Sequence, residues 1–228
     1  MLLQKNMTFY GISRSGNHAI IFWVINNLGG FTEMIRNKIY WNPDTQLYFY
    51  NHVNRRGFHD YFTEKFNHCI KSHENDPYIY NKNSFIILRD ILNLLCSQHK
   101  RGVHSQAIAP KRVLQIWKQH AKHYALKHKD SEFNNIILYN NWVSDKAYRD
   151  EIGVNIGAPN IVDAIDYVSP IGNGSSFIKV QKEQDVEKYT TRYNQFKLPD
   201  EIIELILDDQ EVLDLNQQIF NININDSL

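Results

Sequence analysis

Three short groups of residues in this chain have the types and spacing that handle an anion. The first is Gly11-Ile-Ser-Arg-Ser-Gly16-Asn-His18, set directly after an apolar run and before a helical pattern. Its glycine spacing is that of a Walker A loop, whose backbone N–H groups and helix N-terminus cradle phosphate. The residues after Gly16 are Asn17 and His18, where a nucleoside triphosphatase needs Lys and then Ser or Thr. Without the lysine on the phosphates and the hydroxyl on Mg²⁺, triphosphate hydrolysis loses two of its main parts. The cation sits in the loop instead, as Arg14. An ordinary strand–turn–helix with a glycine at the bend is the competing account. The second group is Lys71-Ser72-His73, at the end of the run His68-Cys-Ile-Lys71. Beside a phosphate loop, a lysine neutralises leaving-group charge and a histidine accepts a proton near neutral pH. Away from one, the same residues are a solvated strand end. The third group is Arg89 with Ser97 eight residues on, after the apolar run Ser84–Leu88. A guanidinium and a hydroxyl there suit a second phosphate, unless Arg89 simply pairs with Asp90.

These residues need elements that bring them to one place. Apolar runs predict strands at Met7–Ile12, 47–50, His68–Lys71, Ser84–Leu88 and Asn135–Tyr139. Helical spacing is expected over Asn17–Leu28, where Gly29-Gly30 stops it, and over Ile91–Lys100, Pro110–Lys127 and Ser144–Ile152. Residues 153–182 read as loop-rich, and Leu198-Pro-Asp-Glu opens a long final helix. Such alternation predicts a single α/β domain, with a mostly parallel sheet of roughly four or five strands covered by helices. Open parallel sheets bind ligands at the carboxyl ends of their strands. All three groups follow strands, so all three belong at that edge.

Taken in order, the groups resemble the PKSGTT loop, the K-T-H strand end and the R-x-x-x-x-x-x-x-S pair of one family. That family is the sulfotransferases using 3′-phosphoadenosine 5′-phosphosulfate (PAPS), especially the cytosolic-type branch. Ile137-Leu-Tyr-Asn-Asn141 and the pattern running to Gly157 are similar to the family's Y-E-D strand and following helix. The Leu198-Pro-Asp-Glu helix is similar to its carboxyl-terminal one, so the resemblance covers most of the chain. It implies a three-layer P-loop-type fold and transfer of a sulfuryl group to a hydroxyl or amine, with no metal required. By the same resemblance Arg14, Ser15, Gly16, Asn17 and His18 would hold the 5′-phosphosulfate. Lys71 would steady the bridging oxygen, and His73 would be the catalytic base. Arg14 and Lys71 together would carry the charge collecting on the departing adenosine 3′,5′-bisphosphate. Arg89 and Ser97 would recognise its 3′-phosphate. The family's late R-K-G clamp is missing. Near its place stand Gly172-Asn-Gly-Ser-Ser-Phe177, then Lys179, Lys182 and Arg192, which makes Ser175, Ser176 and Arg192 the candidate replacements. Other departures are Arg14 for lysine, Asn17-His18 for paired threonines, and Ile91 for a proline. A diverged P-loop kinase or NTPase, and a non-catalytic nucleotide-binding protein of the same fold, are the rival readings.

The partner is expected to be a small-molecule or glycan acceptor. The 228 residues carry 25 Lys plus Arg against 25 Asp plus Glu, so no global field recruits nucleic acid. An apolar share of 43% against 22% charged excludes the disordered and fibrous classes. Cys69 and Cys96 lack metal-ligand spacing, and the stretch Ala19–Ile25 is too short to span a bilayer. No membrane span and a reducing, cytoplasmic compartment are the expectations. Aromatic residues crowd 31–66, and Trp117, His120 and Tyr124 form a helical stripe that reads as core.

Overall fold

Alternation along the strands decides the architecture. In β6 (Ser84–Leu88), Ile86 and Leu88 enter one buried cluster while Ile87 enters another. In β7 (Ile136–Leu138), Ile136 and Leu138 likewise part from Ile137. Successive side chains of a strand point to opposite faces, so both faces of this sheet are apolar and both need cover. The computed structural model describes residues 6–28, 33–35, 39–41, 49–53, 69–78, 83–100, 109–127, 135–158, 161, 163, 165 and 190–228.

Within them, β1 (Asn6–Gly11), β4 (Phe49–Val53), β5 (Cys69–Glu74), β6 and β7 form one sheet in the order β4-β5-β1-β6-β7. Every pairing in it is parallel. The short strands β2 (Glu33–Ile35) and β3 (Ile39–Trp41) pair antiparallel apart from it. Helix α1 (Asn17–Asn27), α4 (Tyr139–Ser144) and α5 (Lys146–Ile156) cover one face through Ile21, Val24, Trp142 and Ile152. Helix α2 (Ile91–Lys100), α3 (Pro110–Lys127), α6 (Asp200–Leu207), α7 (Gln210–Phe220) and α8 (Ile224–Ser227) cover the other. From β1 the chain adds strands on one side through α1; from β6 it adds β7 on the other side through α2 and α3. Helices on opposite faces are what right-handed crossovers require when strands are added in opposite directions. The expected α/β fold of helix, parallel sheet and helix is present, and the reversal of strand order falls at β1. There the carboxyl ends of β1, β5 and β6 lie side by side.

Several boundaries differ from expectation, each for a local reason. The strand at His68–Lys71 instead runs Cys69–Glu74, because pairing with β1 continues to Gly11. The expected strand Asn135–Tyr139 stops at Leu138, and Tyr139 starts a helix. The helix expected over Ser144–Ile152 starts at Lys146, where Asp145 turns extended and caps it through Ala147 and Tyr148, while Ser144 ends the short helix that Tyr139 opens. Helix α5 runs on to Ile156, four residues into the stretch read as loop, and ends on left-handed Gly157. The long carboxyl-terminal helix is likewise interrupted at Asp208-Asp209, where Asp209 caps Val212. Among the described residues no helix is long and apolar enough to cross a membrane.

Candidate anion-binding site

The turn after β1 is tightly over-determined. Arg14 (φ 77°) and Gly16 (φ 98°) both adopt the left-handed conformation. For Arg14 that costs about 1–2 kcal/mol, and the surroundings hold it there. Gln98 Nε2 donates to Ser13 O (2.8 Å), Arg89 Nη1 donates to Arg14 O (3.2 Å), and Ser13 N donates to Asn75 Oδ1 (2.9 Å). Ser15 N closes the turn on Ile12 O at 2.9 Å. At Gly16 a Cβ would enter the Tyr139 ring, so both the space and the φ demand glycine. At Gly11 a Cβ would strike the side chain of Asn17.

Asn17 is buried and turned back into the loop. Ser15 Oγ donates to its Oδ1 (2.6 Å), and its Nδ2 reaches Ile12 O and Glu74 Oε1, both at 3.3 Å. Ser15 and Asn17 therefore brace the turn with their side chains. What they offer a ligand is the backbone N–H groups of the first turn of α1, which have no acceptor within the helix. His18 lies in that first turn, half-buried.

Beside the loop stands the end of β5. Because the strand continues to Glu74, Lys71 and His73 lie inside it, with Lys71 in register with Thr8 and His73 with Tyr10. The expectation that this motif follows the strand is corrected accordingly. The side chain of Lys71 lies outside the described residues, as do Ser175 and Ser176. His73 stacks on the Tyr10 ring (5.0 Å between centroids, 16° between planes), and its Nδ1 lies 3.3 Å from Asp76 Oδ2. The residues that truly end the strand, Glu74 and Asn75, grip the loop. Ser13 Oγ donates to Glu74 Oε2 (2.9 Å), Asn75 N donates to Gly11 O (2.9 Å), and Asn75 Nδ2 reaches Ser13 Oγ (3.1 Å).

On the other side of β1, three arginines from distant parts of the chain gather at α2. Arg14 Nε donates to Ser97 Oγ (3.3 Å), and Arg192 Nη1 donates to the same oxygen (2.9 Å). Arg89, anchored on the loop carbonyl, lies over the Tyr139 ring at 4.6 Å. Arg89 and Arg192 are only 2% and 3% exposed, and Ser97 only 1%. Asn93 and Ser97 are one turn apart and share a helix face. Asn93 Oδ1 accepts from Arg192 N, and its Nδ2 donates to Thr190 O, which docks the 190–194 segment on α2.

The N-terminus of α2 is closed by protein groups. Asp90 caps it by accepting from Asn93 N, and its carboxylate also takes Asn93 Nδ2 and Asn140 Nδ2, each at 2.9 Å. Asn216 Oδ1 accepts from Ile91 N at 3.1 Å. An anion near Arg89 would thus meet guanidinium groups and a hydroxyl rather than the helix end.

The structure brings together Arg14, Ser15, Gly16, Asn17, His18, Arg89, Ser97 and Arg192 along the carboxyl edge of β1 and β6, with His73 beyond, on β5. Sequence reading passed over Glu74, Asn75, Asp76, Asn93, Gln98 and Tyr139. The polar run Glu74-Asn-Asp76 after a strand was the available signal, since Asn tolerates the left-handed conformation that Asn75 adopts (φ 65°). His99 and Lys100 end α2, with the His99 ring 5.6 Å from Phe196. Among the described residues no group of three His, Cys, Asp or Glu gathers as a metal site. Compared with family models, curated proteins and solved structures, the chain matches none.

Proposed function

We propose that this chain is a sulfotransferase of P-loop-type fold that moves a sulfuryl group from PAPS to a hydroxyl or amine. One observation carries the reading: Arg14, Arg89 and Arg192 surround Ser97 and the β1–α1 turn, two of them almost fully buried. Guanidinium groups gathered around one hydroxyl make a planar, multidentate donor set that matches phosphate oxygens. Here they lie beside a turn that presents first-turn amides of α1, which suits a ligand with two separated phosphates. Two further features fit. Gly16 lets the turn approach closely, and no lysine or hydroxyl residue follows it to handle a triphosphate with Mg²⁺.

PAPS, when bound, supplies an activated sulfuryl group on a phosphate leaving group. The amides of Gly16 and Asn17 hold its 5′ end, and Ser97 with Arg89 and Arg192 holds the 3′-phosphate. Arg14, on the turn and bonded to Ser97, would stabilise charge on the departing phosphate, as would Lys71. His73 takes the proton of an acceptor placed in line. The acceptor is a small molecule or a glycan.

The second reading, a diverged P-loop kinase or NTPase, is favoured by Glu74. Its carboxylate meets Ser13 and Asn17, beside the turn where such proteins keep a Mg²⁺-binding acid. Thermal unfolding with adenosine 3′,5′-bisphosphate or with ATP-Mg²⁺ separates the two, since a ligand that binds only the folded chain stabilises it. The bisphosphate is expected to raise Tm by several degrees and ATP-Mg²⁺ to do much less. Stabilisation by ATP-Mg²⁺ alone rejects the sulfotransferase. Bisphosphate binding with no turnover across a panel of acceptors points to a nucleotide-binding protein without catalysis.

A further inference from the structure

We propose that Asp76 is the positioning residue of His73, holding the imidazole with its hydrogen on Nδ1 so that Nε2 is the proton-accepting atom. The two side chains meet at 3.3 Å, Nδ1 to Oδ2, across a tight turn of the chain. A carboxylate can only accept, so the nitrogen facing it carries the hydrogen and the basic lone pair falls on Nε2. Nothing in the mechanism above requires this partner.

The geometry is built rather than incidental. Asn75, between the two residues, is left-handed and tied to β1 and its turn at three points: its N–H to Gly11 O, its Oδ1 from Ser13 N, and its Nδ2 to Ser13 Oγ. Asn75 thereby fixes the backbone that carries Asp76 beside His73. Tyr10 stacks on the imidazole and fixes the plane of the ring. The charge of Asp76 also reaches Tyr10, whose hydroxyl pKa is raised first by burial and then by this carboxylate. Among the described residues, several other polar groups lie nearby. Glu74 is held by Ser13 and Asn17. Tyr78 sets its ring edge-on to Tyr10, and His123 of α3 lies edge-on to Tyr78. His120 of α3, whose pKa burial pushes down to about 4, is neutral near pH 7. Lys71 belongs to the same strand, two residues before.

A neutral imidazole left to itself favours hydrogen on Nε2, which would make that atom a donor. Asp76 reverses the preference. In sulfuryl transfer the acceptor's proton goes to Nε2, its oxygen or nitrogen lone pair forms the bond to sulfur, and the pair of the breaking S–O bond leaves with the phosphate. The imidazolium so formed faces the Asp76 carboxylate. This catalytic use rests on the proposed function, whereas the His73–Asp76 arrangement does not.

Long-range ¹H–¹⁵N correlations of the full-length labelled chain, without nucleotide and near pH 8, read the tautomer directly. The His73 signal is assigned by its loss in His73→Gln. Hydrogen on Nδ1 is expected in the wild type, with a shift toward hydrogen on Nε2 in Asp76→Ala. Asp76→Ala is also expected to keep the wild-type Tm increment with adenosine 3′,5′-bisphosphate. A wild-type His73 with hydrogen on Nε2, or a tautomer unmoved by Asp76→Ala, overturns the proposal. Should Asp76→Ala not fold, the wild-type spectrum alone decides. If the tautomer moves as expected but the bisphosphate stabilises neither protein, the positioning role stands and the nucleotide reading falls.

Discussion

Gly16 joins two constraints that usually occur apart. Its φ of 98° is a conformation that L side chains rarely adopt, and a Cβ there would enter the Tyr139 ring, over which Arg89 lies. Gly16→Ala is therefore expected to destabilise the chain by about 2–5 kcal/mol, the sum of backbone strain and overpacking. Urea unfolding measures it, and Tyr139→Ala in the same background separates the parts. Removing the ring is expected to recover the steric share and leave the backbone share. A Gly16→Ala protein as stable as wild type would mean the turn is looser than described. Arg14 makes the same left-handed excursion with a side chain attached, and is compensated by bonds donated by Gln98 and Arg89 to Ser13 and Arg14 and by the bond Ser13 N donates to Asn75. Strain held this firmly is more typical of binding sites than of ordinary turns.

At the scale of elements, α2 does the most to assemble the site. Residues 91–98 of it are all buried, so it has no solvent face and lies between the sheet and the helices beyond. Three of its buried polar residues are bonded inward: Asn93 to the 190–192 segment, Ser97 to two arginines, and the Gln98 amide nitrogen to the loop. Its N-terminus is tied to the carboxyl-terminal helices by Asn216 of α7. Asn216 accepts from Ile91 N and donates to Ile222 O, each at 3.1 Å. Asn216→Ala strands a buried N–H and leaves a carbonyl without this donor, at a cost of about 2–4 kcal/mol. Asn225→Ala, at an exposed position on α8, is expected to stay within about 0.5 kcal/mol. Equal losses in chemical unfolding would show that Asn216 does not link the elements. Tyr148 does a comparable service at the sheet edge, where its hydroxyl takes Leu138 N (3.0 Å) and donates to Ile136 O (3.3 Å) on β7.

For the whole molecule, His120 couples folding to pH. It is fully buried on α3, and its pKa falls from 6.5 to about 4, through burial first, against a smaller opposing effect of the Asp76 backbone and with help from His123. The unfolded chain therefore takes this proton before the folded one does. Stability from this residue is complete above about pH 6.5 and declines as pH falls toward 4, by about 3 kcal/mol in total. Urea unfolding at pH 7 and pH 4.5 tests the point with His120→Phe. The variant is expected to lose that part of the pH dependence, and an unchanged slope would place the titration elsewhere. The thiol of Cys96, pushed up to about 12 mainly by burial, stays protonated throughout this range. The balance of 25 basic and 25 acidic residues conceals a strong local asymmetry, with three arginines gathered at one strand edge.

Alternation and helical spacing were enough to identify the α/β class, the order of its main elements and the turn at Gly11–Gly16, because these follow from local backbone chemistry and from which faces must be covered. Position just after strands marked Arg14 and Arg89 with Ser97, whereas Arg192 entered only through the resemblance to a family. Alternation and spacing could not tell that the 69–74 strand carries Lys71 and His73 inside it, because where a strand ends depends on the length of its neighbour. Nor could they reveal that Arg192 meets Ser97 across 95 positions, or that Asp76 faces His73. Those meetings depend on how the helices pack across a sheet whose strand order reverses at β1. Spacing along the chain records which residues are near in sequence; packing alone decided which cations share one hydroxyl.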